Sequence, residues 1–459
     1  MRSPRKLDAL ALAAACMAVL ASFGCDGGSK TPALSRTEGI VRSAPIPEEN
    51  AAKLGVVSEQ LRVREFTDVG APSLGILRAG SHVARSAEPV SRAGCSGGWY
   101  AIRPRGFVCV GREATLDLNH PTLAAMALAP KLDAPLPYTY ARTRVETPLF
   151  ERQPGHEDAV REVGKLRRRA GMAVVGSWKA RDPSGTETRL ALLTSGRFVR
   201  ASDLEAAKPS EFSGVELGKH GELPFAFVVK RGVRTFRLEG SEAEKGDLLE
   251  YHSKLPLTGR FRSLGQIKYW AFDAVKAKAG RAGDELWVRH QDVTVVQKRT
   301  VFPDFVRDDT RWLDVSVVTG TLVAYEGKTP LFATLVSVAR ELPASSGDTA
   351  TASDGPRPLP LGTFTVVSKA LTSLGKEPAS FGEPFEVQDA PWALELSSGQ
   401  LLHGAYWHDR FGIEHGAGNV ALSPEDAARV FRFIGEALPA GWHAAAIAAA
   451  GAPQVVLRK

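Results

Sequence analysis

Short segments with the character of β-strands, some bounded by glycines and some alternating apolar with polar residues, recur in this chain and predict a protein built mainly of β-strands. Three of them lie close together at residues 73–77, 98–102 and 106–109, with a glycine in or beside each. Residues 312–317 show the same alternation much later in the chain. Because 459 residues exceed one ordinary hydrophobic core, we expect two to four domains.

The first 25 residues have the three parts of a secretory signal. Basic residues lie within positions 2–6, residues 9–23 are almost entirely apolar, and Cys25 is followed by a polar stretch. The apolar part is too short for a comfortable transmembrane helix, so we predict export. The pattern resembles a bacterial lipoprotein signal, which implies a lipid on Cys25 and a membrane-anchored protein of the periplasm or cell envelope. Ser22 stands where that signal usually has leucine, and plain secretion is the alternative.

Cys95 and Cys109 are the cysteines that remain once the signal, with Cys16 and Cys25, is set aside. Two cysteines within one small module of an exported protein favour a structural disulfide. A metal site is the alternative, but no histidine cluster lies near either cysteine. We therefore expect neither a metal nor a cofactor.

Basic residues cluster at positions 161–169, within a chain of formal net charge +7. In a cytosolic protein such a run would suggest nucleic acid. Because the N-terminus predicts export, we interpret the run as a solvated helix face or loop and expect no nucleic-acid partner.

After the signal, residues 26–50 are polar and predict a linker. Residues 51–118 follow as a first module. The phrase Gly98-Trp99-Tyr100, followed by a strand at residues 106–108, resembles bacterial SH3-like modules. That resemblance implies a small antiparallel barrel.

Residues 119–308 form a β-rich middle region in which two segments are similar. Residues 196–200 and 285–289 each end in an aromatic residue, valine and arginine. Each is followed by an aspartate and an aliphatic residue. The similarity predicts one or two further SH3-like modules, although chance in a β-rich protein would also explain it.

Residues 309–440 contain several phrases whose order is informative. They are Trp312-Leu313-Asp314-Val315, Ala324-Tyr325-Glu326-Gly327, Pro360-Leu361-Gly362-Thr363-Phe364, Leu402-His403-Gly404-Ala405-Tyr406-Trp407-His408, Phe411-Gly412 and Leu422-Ser423-Pro424-Glu425-Asp426-Ala427. Together they resemble the L,D-transpeptidase (YkuD-type) family. That family has a β-rich domain with a few helices, and its cysteine thiolate attacks a peptidoglycan stem peptide before the acyl group passes to an amine. Residues 441–459 are then predicted to be a C-terminal tail.

The catalytic motif of that family, Ser/Thr-His-Gly-Cys, is degenerate in this chain. Alignment without gaps between the flanking phrases places Gly416, Ala417, Gly418 and Asn419 on its four positions. A rival register, shifted by two residues to His415-Gly416, places Ala417 at the cysteine position. Neither an amide nor a methyl group becomes the anion that acyl transfer needs, so we expect no functional catalytic residue here.

Other residues of the family pattern remain. His403 matches a histidine that relays the proton of the cysteine; without a thiol, we interpret it as a hydrogen-bonded structural residue. Tyr406 and Trp407 match aromatic residues near the substrate cleft. They are predicted either to pack in the core or to line a peptide-binding groove.

The phrase Ser423-Pro424-Glu425-Asp426 predicts the start of a helix. A serine side chain caps free N–H groups, proline suits the first turn, and acids favour the positive end of the helix dipole. Its predicted buried face consists of Val430, Phe433, Ile434 and Ala437.

Three functions are compatible with these features. The first is a non-catalytic envelope protein that binds peptidoglycan or another envelope protein from a lipid anchor. The second is an active transpeptidase that uses an unforeseen nucleophile, and the third is a structural or sensory scaffold. We favour the first because recognition and nucleophilic attack depend on different groups.

Overall fold

The computed structural model describes residues 39–126, 129–153, 159–181, 183–218, 222–338, 359–373, 386–413 and 418–459. Within these ranges strands dominate and helices are few, which confirms the mainly β prediction. Gly39–Lys459 form one compact unit. The signal with Cys25 lies outside the described residues. No helix in the described part of the chain has the length and apolar character to cross a bilayer.

The first module, which we call module A, is followed by a short helix. Its elements are β1 (Lys53–Val56), β2 (Leu61–Arg64), β3 (Ser73–Leu77), β4 (His82–Ala84), β5 (Trp99–Ala101), β6 (Phe107–Cys109), β7 (Ala114–Thr115) and α1 (Pro121–Ala125). A disulfide joins Cys95 to Cys109, whose Cα atoms are 5.9 Å apart. This covalent link connects the end of β6 to the loop before β5.

Modules B and C occupy the middle region. Module B contains β8 (Thr139–Thr143), β9 (Thr147–Arg152), β10 (Val160–Leu166), β11 (Gly171–Arg181), β12 (Glu187–Leu193), β13 (Phe198–Arg200), a 3-10 helix (Ala201–Asp203) and β14 (Leu204–Ala206). A linker strand, β15 (Val215–Glu216), follows. Module C contains β16 (Phe225–Val228), β17 (Arg234–Glu239), β18 (Glu242–Leu248), β19 (Lys254–Leu264), β20 (Ile267–Asp273), β21 (Glu285–Arg289), a 3-10 helix (His290–Asp292) and β22 (Val293–Val296).

Modules B and C have one strand order. It is β10-β9-β13-β12-β11-β8-β14 in module B and β18-β17-β21-β20-β19-β16-β22 in module C. Module A repeats it as two pieces, β3-β2-β6-β5 and β4-β1-β7, which an isolated bridge between Arg85 and Ile102 connects. The structure therefore places three copies of one topology in tandem.

One sequence signal recurs in all three modules. An aromatic residue followed by valine lies on the equivalent strand of each: Phe107-Val108 on β6, Phe198-Val199 on β13 and Trp287-Val288 on β21. All six side chains are buried. The two similar segments of the middle region are thus structurally equivalent, because each supplies the central aromatic residue of its own module.

The basic run at residues 161–169 is neither a helix face nor a loop alone. Its first part lies on β10, and its charged side chains are exposed. Arg161 forms an ion pair with Glu151 on the neighbouring strand, and Lys165 lies 3.9 Å from Glu146. The solvated part of the prediction agrees with the structure, and the helix alternative was wrong.

The C-terminal domain is a β-structure with one helix. Its elements are β23 (Arg311–Ser316), β24 (Thr321–Glu326), β25 (Thr329–Leu335), β26 (Ser337–Val338), β27 (Gly362–Thr372), β28 (Pro391–Leu396), β29 (Leu401–Gly404), β30 (Val420–Leu422), α2 (Pro424–Phe433), β31 (Ala444–Ala446) and β32 (Gln454–Arg458). Its core lies between the sheet and α2.

Residues 441–459 are not a tail, which corrects the predicted domain boundary. β32 lies between β23 and β27, parallel to the first and antiparallel to the second. Val455 and Leu457 are buried in the core of the domain. The end of the chain is therefore a central strand, and the C-terminal domain extends beyond residue 440.

The C-terminal domain and module A share one sheet. β31 pairs with β27 on one side and with β3 of module A on the other. The side chain of Trp442 packs in the core of module A. Because strand pairing and core packing both cross this boundary, module A is fixed to the end of the chain.

Helix α2 begins where its sequence predicts. Ser423 is the N-cap, and its hydroxyl accepts a hydrogen bond from the backbone N–H of Asp426 at 3.2 Å. Val430 and Ile434 are buried as expected. Ala437 is exposed because the helix ends at Phe433, which is itself only half-buried.

Candidate functional site

Two parallel strands bring Asn419 close to β29, the strand that carries His403. Leu402 of β29 lies opposite Val420 of β30, and His403 lies opposite Ala421. Asn419 directly precedes β30 and therefore lies beside the first residue of β29. Residues 414–417, which include Gly416 and Ala417, lie outside the described residues.

Asn419 has a structural hydrogen bond. Its side-chain oxygen accepts from the backbone N–H of Leu401 at 2.9 Å. The preceding residue, Gly418, has a φ of +65°, in the left-handed region that favours glycine. Asn419 thus holds the start of β29 in place.

His403 is buried, and its Nδ1 lies 3.1 Å from the carbonyl oxygen of Gly404. Its ring stacks on that of Trp407, with 5.7 Å between centroids. Burial lowers the pKa of His403 to about 4, and the contact with the Gly404 carbonyl only partly opposes this shift. The imidazole is therefore neutral at neutral pH and packed as a structural residue.

The aromatic pair that sequence placed near a cleft lies in the core. Tyr406 and Trp407 are 1% and 7% exposed. The ring of Tyr406 lies 4.4 Å from that of Tyr140 in module B, and a Cβ on Gly171 would overlap its hydroxyl. The structure therefore favours core packing for this pair, and a direct contact with a ligand stays a prediction.

Asp426, in the first turn of α2, receives donors from three parts of the chain. Its carboxylate accepts from the backbone N–H of Gly214 at 2.9 Å and from the hydroxyl of Thr334. Burial raises the pKa of Asp426 to about 6, although these donors and the Ser423 hydroxyl oppose the shift. The linker before module C is thereby connected to the helix.

The segment before the motif is fastened to module C. Asp409 accepts a hydrogen bond from the hydroxyl of Ser210 at 2.6 Å, and its backbone oxygen accepts from that of Tyr251 at 3.1 Å. Nδ1 of His252 lies 3.6 Å from the same carboxylate. These contacts position residues 409–413, which lead into the degenerate motif.

A groove of about 810 Å³ lies between module C and the C-terminal domain. One wall is β22 with the residues that follow it, and the other is formed by β23 and β24. Gly412 and Ile413 lie at its edge, so the groove reaches the residues immediately before the motif. We call this the basic groove.

Basic side chains predominate in this groove. Lys230, Lys298, Arg299 and Arg458 line it, with Asp314 as the acidic residue. Asp314 is buried and binds both arginines, at 2.7 Å from Arg299 and 2.9 Å from Arg458. One carboxylate shared by two guanidinium groups leaves a positive excess, to which the exposed Lys298 adds.

The described residues contain no group of three or more histidine, cysteine, aspartate or glutamate side chains placed to hold a metal ion. The basic groove was not anticipated from sequence. The sequence features that could have indicated it are the run Gln297-Lys298-Arg299, directly after a strand, and Asp314, which lies in one of the family phrases. Their proximity depends on the way module C packs on the domain.

Comparison with known proteins found no matching family model and no matching curated protein. Similar solved structures are L,D-transpeptidases. A mutant enzyme from Enterococcus faecium is 16% identical, with 36% of this chain and 54% of that one covered and a TM-score of 0.22. An enzyme from Mycobacterium tuberculosis is 16% identical, with coverages of 44% and 77% and a TM-score of 0.22. One from Mycobacterium smegmatis is 13% identical, with coverages of 42% and 91% and a TM-score of 0.24. The chain spans 54% and 58% of the first two structures that it matches.

Proposed function

We propose that this chain is an exported, lipid-anchored envelope protein that binds peptidoglycan peptides without catalysing acyl transfer. The proposal rests on the position and the hydrogen bond of Asn419. This residue takes the aligned position of the nucleophile, and its side-chain oxygen is held by the backbone N–H of Leu401.

The chemistry of an amide supports the non-catalytic part. A cysteine thiol ionises near neutral pH and its thiolate attacks carbonyl carbon, whereas an asparagine amide neither ionises nor attacks. Loss of a nucleophile from a serine triad lowers the rate by roughly 10⁴-fold or more. His403 is buried and neutral, and Asn419 at the aligned position carries no thiol.

The basic groove supports the binding part. Peptidoglycan stem peptides are extended and carry several carboxylates, and the groove presents Lys230, Lys298 and Arg458 beside the residues that lead into the motif. Opposite charges raise both the rate and the specificity of association. We therefore assign stem carboxylates to the basic groove.

The three modules support an SH3-like interpretation. Their shared strand order, with a 3-10 helix before the last strand in modules B and C, is that of small units built from antiparallel strands. In this proposal a lipid on Cys25 holds the chain at the membrane while the modules and the C-terminal domain face the cell wall.

Co-sedimentation with purified sacculi tests the binding. Intact sacculi are expected to pellet most of the mature protein, and sacculi stripped of stem peptides by an amidase should pellet at least fivefold less. Equal pelleting by both preparations would contradict stem recognition. No pelleting by either would favour the scaffold function.

Acylation by a carbapenem, followed by intact mass, tests the loss of chemistry. The natural sequence should remain unlabelled, since Asn419 offers no thiolate. The double variant Ala417→His, Asn419→Cys is expected to gain one adduct, and Asn419→Cys alone is the matched control. Labelling of the natural sequence would instead support an active enzyme with another nucleophile.

A further inference from the structure

A second cavity, of about 600 Å³, lies where module A, module B and the C-terminal domain meet. Arg78 of module A, Val175 of module B and His443 of the C-terminal domain all line it. None of its lining residues belongs to the degenerate motif or to the basic groove. We call it the Arg78 cavity.

Arg78 is 7% exposed, yet its guanidinium makes no hydrogen bond within the described residues. Nε and Nη1 are both shielded from solvent and lack a hydrogen-bond acceptor. The nearest carboxylate is that of Asp389, with 3.6 Å between Nη1 and Oδ1. This distance allows attraction between charges but is too long for a hydrogen bond.

Asp389 does not need the N–H groups of Arg78. The hydroxyl of Thr194 donates to it at 2.8 Å, and the backbone N–H of Ala173 donates at 3.2 Å. The carboxylate is therefore satisfied by module B, and the donors of Arg78 stay available to the cavity. A buried charged donor without an acceptor is costly and requires an explanation.

His443 adds a second polar atom to the wall. Its Nε2 lies 3.2 Å from the hydroxyl of Thr372, while Nδ1 is buried and has no hydrogen-bond partner in the described part of the chain. Burial lowers the pKa of His443 well below its ordinary value, with the charge of Arg78 as a further cause. The ring is therefore neutral and adds no second positive charge.

The rest of the wall is largely apolar. Leu123, Met126, Val175, Leu371 and Trp442 face the cavity. A volume of about 600 Å³ lies within the range of small-molecule sites, which combine apolar walls with a few polar groups. The cavity thus has one charged end and an apolar body.

We propose that the Arg78 cavity binds a small amphipathic anion, with its oxyanion on the Arg78 guanidinium and its apolar part against Leu371 and Trp442. The planar guanidinium fork matches the two oxygens of a carboxylate or phosphate, which accept two hydrogen bonds at once. Because Nε and Nη1 are shielded in the empty cavity, the proposal includes a small rotation of the Arg78 side chain, after which such a ligand satisfies donors that have no acceptor among the described residues. The inference is independent of the peptidoglycan proposal, because it uses other residues.

Isothermal titration of the mature protein with octanoate, octyl phosphate and octanol tests the proposal. Saturable binding of one octanoate or one octyl phosphate per chain is expected, and the tighter of the two identifies the headgroup. Octanol should bind at least tenfold more weakly. Binding of octanol as tight as that of both anions would overturn the proposal, as would the absence of saturable binding by either anion at millimolar concentration.

Variants locate the site. Arg78→Met should weaken binding of the anion at least tenfold, whereas Arg62→Met, which removes an exposed arginine of the same module, should leave it unchanged. Val175→Phe narrows the apolar part of the cavity, leaves Arg78 intact and should also weaken binding of the anion. It therefore tests the site even if Arg78→Met does not fold. Unchanged affinity in a folded Arg78→Met or Val175→Phe protein would show that the anion binds elsewhere and that the cavity holds only water.

Discussion

Modules B and C have the same strand order but contact the C-terminal domain in different ways. Beside the Arg78 cavity, which Thr194 also lines, module B packs closely on the domain in what we call the closed interface: Asp389 is buried under Thr194 and Ala173, and Tyr406 packs on Tyr140. All five of these residues are buried.

Module C leaves the basic groove open between itself and the domain. Its contacts with the domain include the hydroxyl of Tyr251, which donates to the backbone oxygen of Asp409 at 3.1 Å, and that of Thr294, which donates to the backbone oxygen of Thr319 at 3.3 Å. Lys298 remains exposed in the groove. The comparison teaches that side chains, and not strand order, decide whether a module serves as structural support or as the wall of a binding groove.

The largest expected loss of stability follows from a substitution at the closed interface. Asp389→Ala removes the carboxylate that faces buried Arg78, and an uncompensated buried charge costs about 3–5 kcal/mol of unfolding free energy. Denaturant unfolding measures this loss. Glu285→Ala, which removes an exposed partner of Arg260 in module C, should change stability by about 0.5 kcal/mol or less. Equal effects would show that the buried pair contributes no more to stability than an exposed ion pair within module C.

The contact between the linker before module C and helix α2 should respond to pH through Asp426. Its pKa is raised to about 6 in the folded protein, so between about pH 4 and pH 6 the folded state binds more protons than the unfolded state. The resulting contribution to the free energy of unfolding is complete below the pKa of the unfolded state. About 3 kcal/mol of it is lost as the pH rises through 6. Asp426→Asn should abolish that component, measured as the difference between the two pH–stability curves. Parallel curves would contradict the assignment.

A smaller effect is expected at Gly171, where module B approaches Tyr406. Gly171→Ala places a Cβ against the tyrosine hydroxyl, and overpacking of this kind costs about 1–3 kcal/mol. Gly164→Ala, in the same module, meets open space and is the matched control. Thermal unfolding of both variants would test the close packing, and a stable Gly171→Ala protein would argue against it.

The smallest effect on stability, and a clear effect on binding, is expected in the basic groove. Lys298→Glu should lower pelleting with sacculi about tenfold at low salt and change the free energy of unfolding by about 0.5 kcal/mol or less. Lys245→Glu reverses an exposed charge of module C outside the groove and is the control. If both variants bind equally well, the groove is not the binding surface even if the protein still binds sacculi.

Lys369 illustrates a contact that no local pattern predicted. It is buried, and its ammonium donates to the carbonyls of Phe431, Ile434 and Glu436 at the end of α2. Burial lowers its pKa to about 8. Its alternating strand predicts a side chain on one face of a sheet, but only packing of the helix supplies the three carbonyls.

Local features of the sequence determined the β-rich class, the start of α2 and the similar segments of the middle region. Alternation, an N-cap serine and a buried aromatic–valine pair act over a few residues, so they can be read directly. The absence of a cysteine nucleophile in the interval between the family phrases needed no structure either.

Tertiary structure alone decided the role of the chain's end, the closed and open interfaces, and the two cavities. Trp312 pairs with Gln454, and Arg78 faces Asp389, across separations that leave no periodic signal. Such contacts depend on which surfaces three similar modules bury against one domain. The physical reason is that strand patterns specify which side of a strand is buried, whereas distant charges and strand partners are brought together only when the whole chain packs.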